Sequence, residues 1–120
     1  MNKKVQEKVQ APDASPSAPE NGGIVVDHLV FFTMRDDVST SDSEGLLGSL
    51  SALSEEIPGV LDLSVGEDFS GRSGGYTHAL FARFEDREGL KTYATHPAHL
   101  AAVEQLDRLT EGRIVCDYEH

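Results

Sequence analysis

The sequence predicts a single α+β domain in which helices cover one face of a four-stranded antiparallel sheet. Three observations predict it. After residue 23, segments with strand and helix periodicity follow one another in the order βαββαβ. The second helical segment breaks at His96-Pro97, because the residue before a proline is pushed out of the helical region. The first strand is apolar on both faces, yet the chain has helices for only one of them. This is the split-βαβ, ferredoxin-like arrangement. Its second sheet face needs another copy of the chain to cover it, so a homodimer packed sheet against sheet is expected.

The elements are justified in turn. Residues 24–34 place His28, Val30, Phe32 and Met34 on one side and Leu29, Phe31 and Thr33 on the other. Ser41 and Glu44 form a capping-box signature for the first helix. Leu46, Leu50, Leu53 and Ile57 are its apolar stripe, which ends at Pro58-Gly59. Residues 60–65 alternate as the second strand, with Leu61, Leu63 and Val65 opposite Asp62 and Ser64. The loop Gly71-Arg72-Ser73-Gly74-Gly75 precedes no helix, so it reads as a hairpin turn and not as a phosphate cradle. Residues 76–84 form the third strand, and Asp86 caps a helix that carries Leu90, Tyr93 and Ala94. Pro97 suits the first position of a new helix with Leu100, Val103 and Leu106 on one side, and Gly112 is expected to stop it. Residues 113–118 are the last strand.

Composition narrows the function classes. Residues 1–23 lack aromatic side chains and are rich in Pro, Ala, Ser and Gly, so they are expected to form a disordered tail ahead of a domain at 24–120. Lys3, Lys4 and Lys8 balance Glu7, Asp13 and Glu20, which leaves the whole net charge of −11 on the domain. Such a surface repels phosphate backbones and argues against nucleic-acid binding. No segment reaches the ~20 apolar residues that span a bilayer, and no hydrophobic run follows Lys3 and Lys4. The single cysteine, Cys116, excludes an internal disulfide and fits a reducing compartment; a cytoplasmic location is expected.

Five pieces of the sequence then carry a likeness. His28-Leu29-Val30, Ile57-Pro58-Gly59-Val60, Gly75-Tyr76-Thr77-His78-Ala79-Leu80, Phe84-Glu85 and Tyr93-x-x-His96-Pro97-Ala98-His99 together resemble the stress-responsive A/B barrel (Dabb) family, and Asp117-Tyr118 fits its close. The resemblance covers residues 27–119 and implies a dimeric α+β barrel. Most members of the family have no established activity. One plant member closes a linear polyketide by aldol condensation, and its catalytic tyrosine and histidine correspond to Tyr93 and His99. Two further pocket histidines of that enzyme match His28 and His78. The first helix here has Leu46 and Leu47 where that enzyme has aromatic residues, so its substrate does not carry over.

The residues themselves are compatible with a shared pocket. His28 with Val30, and His78 with Leu80, belong to the two strands that neighbour one another in this topology, and His96 lies at the helix break beside Tyr93 and His99. An imidazole beside a phenol can take an acidic C–H proton and polarise a carbonyl without a cofactor. The alternative is structural: hydrogen-bonded core histidines, an N-cap at His96 and a core tyrosine. A metal site is not expected, since the two histidines of His96-Pro97-Ala98-His99 lack a third ligand at a recognisable spacing. Two function classes follow: a small-ligand binding protein, with His28, Val30, His78, Leu80 and His96 around a hydrophobic or carbonyl compound, or a proton-transfer enzyme using Tyr93 and His99.

Overall fold

The computed structural model describes residues 23–120, and the tail expected over residues 1–22 lies outside the described residues. The elements follow the order β1 (Val26–Met34), α1 (Thr40–Ser51), α2 (Leu53–Glu56), β2 (Val60–Glu67), β3 (His78–Phe84), α3 (Arg87–Thr95), α4 (Pro97–Leu109) and β4 (Thr110–Glu119). The sheet order is β2-β3-β1-β4 with antiparallel neighbours, which is the ferredoxin-like topology.

Strand alternation sets the core. Val26, Val30 and Phe32 of β1 meet Phe84, Leu80 and His78 of β3 in register, all on the helix-covered face. Leu46, Leu50, Leu53 and Ile57 pack down on them, each no more than 2% exposed, so the predicted stripe is the buried one. The alternation on β2 is offset from its expected phase. A bulge between Val60 and Asp62 puts Val60, not Leu61, on the core side with Leu63 and Val65.

Three helix expectations need correction. The cap of α1 is Ser39, whose Oγ accepts from the Asp42 N–H at 3.0 Å, two residues before the expected Ser41. Leu100 is 54% exposed; α4 instead packs Ala98, Ala102, Leu106 and Leu109 against the core, because small alanines let the helix approach closely. Gly112 does not end this helix. The helix stops at Leu109, with the Thr110 hydroxyl donating to the Leu106 carbonyl at 2.6 Å, and Gly112 lies within β4 opposite Thr33.

The opposite sheet face carries Leu29, Phe31, Phe81, Ile114 and Tyr118, of which Ile114 and Tyr118 are about half exposed. One charge is buried among them. Asp27, 3% exposed, receives both Nε and Nη2 of Arg83 at 2.7 and 2.9 Å and contacts His120 Nε2 at 2.7 Å. The bidentate guanidinium holds the Asp27 carboxyl below the usual carboxylate range.

Candidate functional site

The proline break builds the site. In a continuous helix the Ala94 carbonyl would accept the Ala98 N–H four residues on. Pro97 interrupts the ladder and frees both groups. His96, which ends α3 and caps α4, takes the Ala98 N–H on its Nδ1 at 3.0 Å. His99 donates its Nδ1–H to the Ala94 carbonyl at 3.0 Å. That second bond fixes the tautomer: Nδ1 holds the proton and Nε2 keeps the lone pair.

Tyr93, in the last turn of α3, lies 2% exposed among three other rings. The His99 ring is 4.5 Å from it, Phe84 5.0 Å and His28 5.8 Å, centroid to centroid. Burial pushes the Tyr93 phenol up to about 12, so it stays protonated. Burial also lowers the His99 imidazole below its ordinary 6.5; the Ala94 hydrogen bond opposes this, and His28 and Arg113 add to it. Among the described residues no group bonds to the Tyr93 hydroxyl.

His28 connects this cluster to the surface. The register of β1 with β4 sets it opposite Asp117, and its Nδ1 lies 2.5 Å from the Asp117 carboxylate, itself 42% exposed. Asp117 is the site residue that sequence reasoning missed. It stood in the alternation of the last strand, but its partner emerges only with the cross-strand register. Together His28, Val30, Leu80, Tyr93 and His99 line a small, partly open cavity of about 30 Å³, with Leu50, Val103 and Leu106 completing its walls.

Two expected members are elsewhere. His78 faces the same side of the sheet as His28, but antiparallel pairing puts it opposite Phe32 while His28 is opposite Ala82. Four residues of strand, roughly 13 Å at ~3.3 Å each, separate them. His78 stacks on Phe32 with centroids 5.3 Å apart and lines a different depression. His96 does not line the cavity; its ring nitrogen serves as the cap, the structural reading of that residue. Among the described residues no group of three or more His, Cys, Asp or Glu side chains is placed to hold a metal ion, and no helix is long and apolar enough to cross a membrane.

A ferredoxin-like sheet with a broken second helix, enclosing a Tyr–His cluster, defines an α+β barrel domain. The chain belongs to the stress responsive A/B barrel domain (Dabb) family, whose sequence profile matches residues 26–120. It is 30% identical over 92 residues to a stress-response A/B barrel domain-containing protein of Arabidopsis thaliana, covering 76% of this chain but only 34% of that longer protein. It is 27% identical over 97 residues to olivetolic acid cyclase of Cannabis sativa, covering 79% of this chain and 96% of the cyclase. Among solved structures, a dimeric protein of unknown function with a ferredoxin-like fold from Bacteroides fragilis superposes with a TM-score of 0.66 at 32% identity, covering 80% of this chain and 96% of that one.

Proposed function

We propose that the domain binds a small, largely apolar molecule bearing a carbonyl or hydroxyl oxygen, in the cavity between sheet and helices. The observation that carries this reading is the Tyr93 hydroxyl: on a buried side chain, protonated and without a hydrogen-bond partner among the described residues. The hydroxyl oxygen is not among the atoms sealed from solvent, so it is open to water or to a ligand oxygen that takes the water's place. The cavity as it stands has room for about one or two waters. A larger ligand enters by displacing wall side chains.

The test is Tyr93→Phe, which keeps the ring and deletes the hydroxyl. A small aryl ketone such as acetophenone is expected to bind the variant about tenfold more weakly, as loss of one hydrogen bond implies, while the melting temperature holds or rises. Equal affinity for both proteins would overturn the reading.

A second reading has its own observation, the fixed tautomer of His99. A neutral Nε2 lone pair beside a protonated phenol is a base next to a hydrogen-bond donor. His99 would take an acidic proton from carbon α to a carbonyl, and Tyr93 would hold the resulting enolate oxygen. The likeness to olivetolic acid cyclase supports this class of chemistry without naming the substrate.

The same proposal includes a homodimer through the sheet face that bears Phe31, Phe81, Ile114 and Tyr118. The relative from Bacteroides fragilis is described as dimeric. Phe31→Asp places an unpaired charge at the centre of that face and is expected to give a monomer mass by light scattering, where the parent chain gives a dimer. A parent chain that is monomeric at micromolar concentration would contradict the dimer.

A further inference from the structure

His28 and Asp117 stand opposite each other on β1 and β4, on the helix-covered face of the sheet. A carboxylate only accepts, so Nδ1 of His28, 2.5 Å away, holds the proton and donates it to Asp117. In the neutral ring this leaves Nε2 as a lone-pair acceptor, pointing away from Asp117. No group bonds to that nitrogen among the described residues, and it is not among the atoms sealed from solvent. The ring lines the same cavity as Tyr93 and His99, edge-on to Tyr93 with centroids 5.8 Å apart.

The polar groups of the cavity are therefore unevenly divided. Tyr93 supplies one hydroxyl donor, while His28 and His99 each supply an Nε2 lone pair. The remaining walls, Val30, Leu50, Leu80 and Val103 among them, are apolar. An anion suits this set poorly, because it brings only acceptors to the two lone pairs and meets the Asp117 charge behind one of them. A ketone without a hydroxyl satisfies Tyr93 and leaves His28 without a donor.

We infer that the ligand of this cavity is a neutral carbonyl compound that also carries a hydroxyl, and that Asp117 selects it by positioning His28. The carbonyl oxygen accepts from Tyr93, and the ligand hydroxyl donates to Nε2 of His28. Asp117 acts through the imidazole and does not touch the ligand: it keeps the proton on Nδ1 and so keeps Nε2 an acceptor. The inference rests on the carbonyl-binding reading above and adds to it the second group of the ligand.

The test compares acetophenone with 3′-hydroxyacetophenone at pH about 7.5, where an ordinary imidazole is neutral. The hydroxy ketone is expected to bind the parent chain about three- to tenfold more tightly, as one added hydrogen bond implies. His28→Phe keeps a ring against Tyr93 but removes the acceptor; it is expected to abolish that advantage and leave acetophenone affinity within about twofold. Asp117→Ala is expected to reduce the advantage as well. Its side chain is 42% exposed, so the truncation opens no core cavity. Nitrogen NMR of the His28 ring supplies a readout that a structural role would not move: the proton sits on Nδ1 in the parent and is no longer confined there in Asp117→Ala. Acetophenone binding that depends on Tyr93 but gains nothing from the hydroxyl would overturn this inference alone. So would an advantage that survives His28→Phe, or one that Asp117→Ala leaves unchanged. Acetophenone affinity indifferent to Tyr93→Phe, or no saturation by either ketone at about 10 mM, would overturn the carbonyl-binding reading and this inference with it.

Discussion

Phe84→Ala is expected to destabilise the domain by about 3–5 kcal/mol, lowering the melting temperature by on the order of 15–30 °C. Phe84 is fully buried, pairs with Val26 on one side and Val60 on the other, and packs its ring 5.0 Å from Tyr93. A Cβ added at Gly89 in the first turn of α3 would first meet the Phe84 Cβ, at 3.4 Å, so the helix that carries Tyr93 lies close over this side chain. Truncation therefore leaves a cavity beneath the site as well as in the core. Phe84→Leu, which keeps much of the volume, is expected to cost considerably less. Denaturant unfolding of the two variants checks this, and a loss below about 1 kcal/mol for the alanine variant would mean that α3 is not held by this contact.

His99→Ala is expected to have the largest effect on any carbonyl-activating turnover the protein performs, a loss of about 10²–10⁴-fold, the range typical of a removed general base. The melting temperature is expected to move little, since the residue is only partly buried and its one bond is to a helix-terminal carbonyl. The pH profile supplies an independent check. A base works as the neutral imidazole, and burial lowers the His99 pKa from 6.5. Activity is therefore expected to be full at neutral pH and to fall only as the pH drops through that depressed value. No alkaline limb is expected below the Tyr93 pKa of about 12. A profile that rises toward acid would assign the proton transfer to a different group.

Much of this fold was legible because its signals are local. The alternation of β1, the stripe Leu46–Leu50–Leu53–Ile57, the cap at Asp86 and the break before Pro97 are each written within a few residues, and each has its expected structural counterpart. Errors arose where a second element decides. Leu100 matched a helical stripe by spacing, but the face of α4 is chosen by how closely Ala98 and Ala102 let it approach the core. The bulge at β2 shifted a strand whose pattern alone could not register its partner.

The site divides along the same line. Tyr93, His96 and His99 are near neighbours in the chain, and the break that arranges them is itself a sequence feature. His28 and His78 each stand near the start of an alternating segment, which suggested a meeting. Antiparallel pairing sends the starts of two neighbouring strands to opposite ends, so His78 lies with Phe32 while His28 finds Asp117. Nothing within either strand encodes that outcome; it belongs to the register.

The most direct test of the central claim, that the Tyr93–His99 cavity receives a ligand oxygen, is an NMR titration with acetophenone that follows the His99 ring and nearby amides. Saturable shifts of the His99 imidazole, Leu80, Ala102 and Val103, weakened about tenfold in Tyr93→Phe, are the predicted result. Shifts confined to the outer sheet face, or unchanged by loss of the Tyr93 hydroxyl, would contradict it.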